Sequence, residues 1–269
     1  MATPISRPTD PIAATAADSR RWMMRLAFRG EPFHGWQRQP GAISVQQVVE
    51  EALATILRRP APVAVTGAGR TDAGVNASMM PAHFDAHLPM APEALVRALN
   101  SILGPDIAVE EIVGVHPDAH ARFDATSRTY HYYAVGAKSP FVYPLTWRAP
   151  ATLDYDAMNR AAAILLRTSD FTSFSKLHTD AKTNICRVTR AEWIPTPGGR
   201  GMTFVITADR FLRNMVRAIV GTLVDVGRGK LSDIGFAEII EARDRCAAGT
   251  SMPPQALFLA RVTYPYLPW

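Results

Sequence analysis

A single carboxylate, Asp72, stands in the run Val65-Thr66-Gly67-Ala68-Gly69-Arg70-Thr71-Asp72-Ala73-Gly74-Val75. Aspartate is depleted in strands and favoured in turns. Gly67, Gly69 and Gly74 give the backbone left-handed freedom or room for close approach. Arg70 lies two residues before Asp72, so in an extended segment both side chains leave one face. The run reads as a loop that holds a carboxylate up to something, or as a strand-to-strand turn in which Asp72 caps backbone. Its glycines do not follow G-x-G-x-x-G and no G-K-[ST] follows, so a nucleotide cofactor finds no support there.

Two arginines are candidate partners for that carboxylate. Arg213 and Arg217 are four apart on a helix expected over Leu212–Val224, so they share a face beside its apolar stripe. A guanidinium there is partly desolvated and suited to holding a buried aspartate ionised. The plainer role is a long stem over apolar surface with its head in water. Tyr130 opens Tyr130-His131-Tyr132-Tyr133, where Tyr130 and Tyr132 face one side of a strand and His131 and Tyr133 the other. Such rings stack on unpaired bases or pack across strands, and Arg122 and Arg128 nearby favour nucleic acid. A metal site is the competing chemistry. His83, Asp85 and His87 alternate along a strand and His116 precedes His120 by four, but Pro117 disfavours a helix there.

The elements that must position these residues follow from periodicity. Strands are expected at Trp22–Arg29, Val63–Ala68, Pro81–Ala86 and Val109–Val115, with helices over 45–57, capped by a Ser44–Gln47 box, and from Pro92 to Leu103. The second half repeats the order: strands Arg128–Val135, Ile185–Ile194, Met202–Ala208 and Ala256–Thr263, and helices Asp156–Leu166, Leu212–Val224 and Asp233–Ala247. Two β-α-β-β-α-β units predict an α+β protein of two ferredoxin-like (split β-α-β) halves, with mostly antiparallel sheets and a central cleft. The divisions are a loose tail over 1–21, an N-terminal domain over 22–117 carrying the Asp72 loop, and a C-terminal domain over 118–269 carrying Tyr130 and the arginines.

Composition narrows the partners. The chain has 269 residues, 48% of them hydrophobic, with a net charge of +5, and no apolar run reaches membrane-spanning length. The basic balance favours a polyanion. Two cysteines without metal spacing make a disulfide framework unexpected and a reducing cytoplasm the natural compartment.

Several motifs then occur in a telling order: Phe33-His34-Gly35-Trp36-Gln37-Arg38-Gln39, Ser44-Val45-Gln46, Gly69 to Val75, His120-Ala121-Arg122-Phe123-Asp124-Ala125, Asp170-Phe171-Thr172-Ser173-Phe174, and Phe211-Leu212-Arg213-Asn214-Met215-Val216-Arg217. In these the chain resembles the TruA-type tRNA pseudouridine synthases, from about Trp22 to Tyr264. The resemblance implies a cofactor-free, metal-independent isomerase that converts uridine to pseudouridine in the tRNA anticodon stem-loop. It implies Asp72 as the catalytic aspartate and Arg217 as its partner. Tyr130 would be the tyrosine that packs on the target base, considered also as a base for the C5 proton. It further implies a homodimer binding tRNA across a basic surface. From the residues themselves, Arg70 fills the gap left by a flipped base or holds phosphate, and Arg122 and Arg213 are further candidate RNA contacts. The chain departs from the family at Asn76, where histidine is usual, and through Ala77-Ser78-Met79-Met80-Pro81, which bears on loop contacts to RNA. A non-catalytic RNA-binding module on the same scaffold is the alternative, and a metal hydrolase the third reading.

Overall fold

The computed structural model describes residues 20–176, 182–198 and 201–269. The expected tail falls outside them, except that Arg20 and Arg21, assigned to it, instead open the first strand.

The first half contains β1 (Arg20–Phe28), α1 (Val45–Ile56), β2 (Thr66–Gly67), β3 (Asn76–Ala86), α2 (Pro92–Ile102) and β4 (Ile107–Gly114). The second contains β5 (Ser127–Val135), β6 (Trp147–Arg148), α3 (Tyr155–Ala162), β7 (Val188–Pro195), β8 (Gly201–Ala208), α4 (Met215–Gly227), α5 (Asp233–Ala242) and β9 (Leu257–Thr263). Among the described residues, the nine strands belong to one sheet, ordered β4-β1-β3-β9-β5-β8-β7, with β2 beside β3 and β6 beside β5. Pairing is antiparallel except at β5–β6 and at the seam between halves, where β3 meets β9 in parallel. The fold is thus mixed α and β on a large, mostly antiparallel sheet. No helix among the described residues is long and apolar enough to cross a membrane.

The seam is narrow. Only Asn76 and Ala77 of β3 pair with Phe258 and Leu259 of β9. Farther along β3, Thr66 and Gly67 take that edge opposite His83 and Ala82. The second strand is therefore two residues rather than the six expected over 63–68, and β3 begins five residues before Pro81. Pro81 lies in mid-strand, not at a strand start. Its carbonyl accepts from Ala68 N at 2.8 Å, and its nitrogen points to the same side. The missing N–H consequently falls on the β2 edge, where it takes nothing from the pairing with Arg25 of β1.

Helix boundaries follow their caps. Ser44 caps α1 by accepting from Gln47 N at 3.3 Å. Gln47 turns its own amide to Glu51, so the reciprocal half of the expected capping box does not form. Helix α4 starts at Met215, not Leu212, because Asn214 stands before it in the left-handed region at φ 65°. It is buried on nearly every side, between the sheet, α3 and α5. The strand expected from Ile185 starts at Val188, and α5 stops at Ala242, five residues early.

Two apolar cores result. Met24, Leu26 and Phe84 meet Val49 and Leu53 of α1 and Leu95 and Leu99 of α2. Tyr132, Trp193, Phe204 and Ile206 meet Met158 of α3, Phe236 of α5 and most of α4. Tyr130 packs against both.

Candidate active site

The Asp72 loop leaves β2 and returns as β3, and two of its three glycines answer distinct structural demands. Residues 72–75 form a turn closed by Val75 N donating to Asp72 O at 3.1 Å. Gly74 occupies its third position at φ +76°, where a side chain would be strained. At Gly67 a Cβ would lie 2.5 Å from the Trp36 ring, so close packing excludes it. At Gly69 a Cβ would meet nothing within 4 Å.

The loop is strapped to the segment after β1. Trp36 N donates to Thr71 O and Gly74 N to Phe33 O, both at 3.4 Å. Gly35, at φ +87°, passes so near Thr71 that a Cβ there would lie 2.3 Å from its carbonyl.

So held, Asp72 points to the second half. Arg213 Nε lies 3.5 Å from its Oδ1, and Arg217 Nη1 lies 3.6 Å from its Oδ2. The carboxylate side chain is 23% exposed, Arg217 19% and Arg213 59%. Both separations are long for hydrogen bonds, so the guanidiniums supply field without occupying the carboxylate's lone pairs. Arg217 is fixed elsewhere: its Nε donates to Met252 O at 2.6 Å, and Met252 N donates to Arg217 O at 3.1 Å. Arg213 lies outside the helix expected to carry it. It reaches Asp72 because the left-handed turn at Asn214 swings it back, and Asn214 Nδ2 secures that turn on Ser251 Oγ at 2.6 Å.

Tyr130 sits in β5 between Leu259 and Ile206. Its ring stands edge-on to Phe211 at 5.1 Å between centroids. Burial pushes the phenol up to about 12, with Arg128 opposing the shift and Asp72 adding to it. The hydroxyl therefore keeps its proton at neutral pH. Tyr132 shares this face, fully buried with its OH on Pro253 O, while His131 and Tyr133 meet each other on the opposite face.

The remaining predicted residues divide. Arg70 and Arg122 are exposed and line a common pocket with Trp36 and Gln37, apart from the Asp72 pair. Arg128, read as an aid to nucleic-acid contact, is turned inward instead. It donates to the carbonyls of Ala125, Asp209, Ala68 and Arg122 at 2.8, 2.7, 3.2 and 2.5 Å, tying the interhalf segment to the loop. Burial lowers its pKa, chiefly by desolvation. Four of the five candidate metal ligands are otherwise engaged: His83 Nδ1 accepts from Ala121 N, Asp85 binds Arg21, His116 lies against Asp118, and His120 Nδ1 accepts from Arg122 N and Phe123 N. Among the described residues, no three His, Cys, Asp or Glu side chains are grouped to hold a metal.

Phe211 and the Met252 carbonyl join the site without having been singled out by residue type. Phe211 belongs to the motif ending at Arg217, which is a usable signal. Met252 contributes backbone from 35 positions away, which no side-chain pattern records.

Comparison with known proteins shows the family of the chain. The chain is 56% identical to tRNA pseudouridine synthase A of Parabacteroides distasonis over 247 residues, which is 91% of this chain and 96% of that one. The chain belongs to the tRNA pseudouridine synthase A family. The enzyme of that name from Bacteroides thetaiotaomicron is 55% identical over 91% of each chain. A family model described as tRNA pseudouridine synthase matches residues 161–265, which contain Arg213 and Arg217. A crystal structure of a Cbf5-Nop10-Gar1 complex aligns at a TM-score of 0.31 and 11% identity, over 88% of this chain and 57% of that one, too distant to inform the site. Membership makes the chain an enzyme, a tRNA pseudouridine synthase.

Proposed function

We propose that this synthase isomerises uridine to pseudouridine in the tRNA anticodon stem-loop, with Asp72 as its catalytic carboxylate. The observation that carries the reading is a convergence from distant stretches of chain. Asp72 comes from the first half and Arg213, Arg217 and Tyr130 from the second, and they meet at the seam. The reaction breaks the bond from ribose to N1, turns the uracil and rejoins it through C5, so atoms are conserved and no cofactor is called for. An ionised carboxylate serves as nucleophile or base, and two guanidiniums lie within 4 Å of this one. A base inside a stacked stem is out of reach, so the uridine must be flipped out. Tyr130 packs against it, and with its proton held at neutral pH it acts as an apolar platform and donor rather than a standing base. Arg213, more exposed than Arg217, contacts RNA phosphate as well as Asp72.

We read the two strand orders, β4-β1-β3-β2 and β9-β5-β8-β7, as two ferredoxin-like domains over 22–117 and 118–269, with the RNA cleft between them. The family resemblance adds a cytoplasmic homodimer with tRNA lying across both subunits. The test is to incubate unmodified tRNA with the protein and map pseudouridine chemically. Wild type should modify the anticodon stem-loop, and Asp72→Ala should bind tRNA yet form no product. Turnover by Asp72→Ala removes Asp72 from its role, and binding without product by wild type leaves an RNA-binding module.

A further inference from the structure

A pocket of about 110 Å³ opens beside the Asp72 loop, lined by Trp36, Gln37, Thr66, Gly67, Arg70 and Arg122 among others. Asp72, Tyr130, Arg213 and Arg217 take no part in it. Its floor is rigid, since Trp36 is 2% exposed and Gly67 lies against its ring. One wall is a polar group held in a fixed orientation. Gln37 Nε2 donates to Gln46 Oε1 at 2.9 Å. Gln46 cannot turn: its Nε2 donates to Glu50 Oε1 and Val65 O, and its Oε1 also accepts from Arg38 N. Glu50, 6% exposed, is anchored in turn by Val65 N and by Arg38. The Gln37 carboxamide thus presents its Oε1, which has no hydrogen-bond partner among the described residues, next to its second N–H. A planar acceptor–donor pair of that kind matches the edge of a nucleobase. Arg70 and Arg122 place two cations at the rim.

We propose that this pocket seats a second nucleotide of the same RNA, adjacent to the uridine presented to Asp72. Its base edge meets Gln37 and its phosphate meets Arg70 and Arg122. The inference rests on the reading that RNA enters the cleft. The chain itself sets the spacing, because Arg70 and Asp72 are two residues apart, at most about 7 Å between Cα atoms. A ligand that fills one site and continues into the other must be a strand.

The test reads equilibrium binding rather than turnover. Unmodified anticodon stem-loops, each lacking one base near the target, are titrated against wild type and Gln37→Leu. Gln37→Leu should bind the intact stem-loop about tenfold more weakly. One abasic position should weaken wild type by a similar factor and leave Gln37→Leu unaffected. Arg122→Ala should lower the salt slope of binding by about one. If thermal melting shows Gln37→Leu to be unfolded, Gly69→Leu replaces it, since a side chain there enters open space, and the same loss is expected. Equal affinity of wild type and variant, or losses that simply add at every abasic position, overturns the proposal. Tight RNA binding by a wild type that forms no pseudouridine removes the enzyme reading and leaves this measurement intact. A wild type that binds no RNA overturns both.

Discussion

Replacing Asn76 should damage the enzyme without touching any group proposed to meet RNA. Asn76 is 1% exposed at the first residue of β3. Its Oδ1 accepts from Gly30 N at 2.8 Å and its Nδ2 donates to Gln255 O at 2.7 Å. The first bond holds the start of the segment that straps Thr71, where Gly30 already passes close to the Val75 carbonyl. The second holds the turn that follows Met252, the anchor of Arg217. Asn76→Ala leaves a buried N–H and a part-buried carbonyl unpaired, at about 1–3 kcal/mol each before relaxation. Allowing for relaxation and water entry, a loss of about 2–4 kcal/mol is expected. At roughly 2–4 °C per kcal/mol for a chain near this size, the melting midpoint should fall by about 4–16 °C. Because the two bonds register Asp72 against Arg217, kcat should fall about tenfold or more with KM much less affected. Scanning calorimetry and single-turnover pseudouridine formation provide both readouts. A variant that melts within about 1–2 °C of wild type, or one that raises KM at unchanged kcat, would refute the cross-tie and return Asn76 to the RNA surface.

Four further outcomes are expected. Arg217→Lys should not restore what Arg217→Ala loses in kcat, because lysine keeps the charge but cannot both donate to Met252 O and face Asp72; full rescue by lysine would contradict this. Tyr130→Phe should retain turnover within about tenfold and an unchanged pH profile near neutrality, while Tyr130→Ala loses the ring against Phe211 and most of kcat; a pH–rate slope abolished by Phe would make the phenolate a base after all. Gly74→Ala, at φ +76° with Pro254 3.0 Å from the new Cβ, should cost about 1–2 kcal/mol in urea unfolding; an unchanged urea midpoint would show the turn to be unstrained. For His83, burial lowers the imidazole to about 4 from an ordinary 6.5, and its Nδ1 is occupied by Ala121 N–H. The unfolded chain therefore binds the proton more readily. His83 contributes its full stability above about pH 6.5, and this is lost as pH falls towards 4, on the order of 3 kcal/mol in total. Urea titrations of His83→Gln from about pH 7 to 4 should show a shallower decline than wild type, and parallel curves would refute it.

Much of this arrangement is legible from residue types alone. Helical and strand periods place nearly all elements, because most of them bury one face against one of the two cores. Ser44, Pro92 and Asp72 announce their turns by side-chain chemistry. Periodicity fails where backbone geometry decides. It extends α4 to Leu212 because Leu212 continues the apolar stripe, but the left-handed Asn214 ends the helix first. It breaks β3 at Pro81 because proline lacks a donor, but that edge of β3 asks for none there. Arg128 shows the limit most clearly. In the sequence it is one more cation near an aromatic run, and only the fold shows four carbonyls converging on it.

The same residues explain why the site lies where the structure is thinnest. Two residue pairs join the halves in the sheet, far less than the pairing within either half. Asp72 belongs to one half and the arginines to the other, so no single core fixes their separation. Small, specific ties fix it instead, with Asn76 across the seam, Arg128 over the interhalf segment, and Met252 on Arg217. Tyr130, packed against both cores, holds the floor between them. A broad sheet interface would have fixed the distance more firmly, but under the proposed function it would close off the space a flipped base needs. A seam secured by a few hydrogen bonds leaves the carboxylate partly exposed with its two guanidiniums within 4 Å.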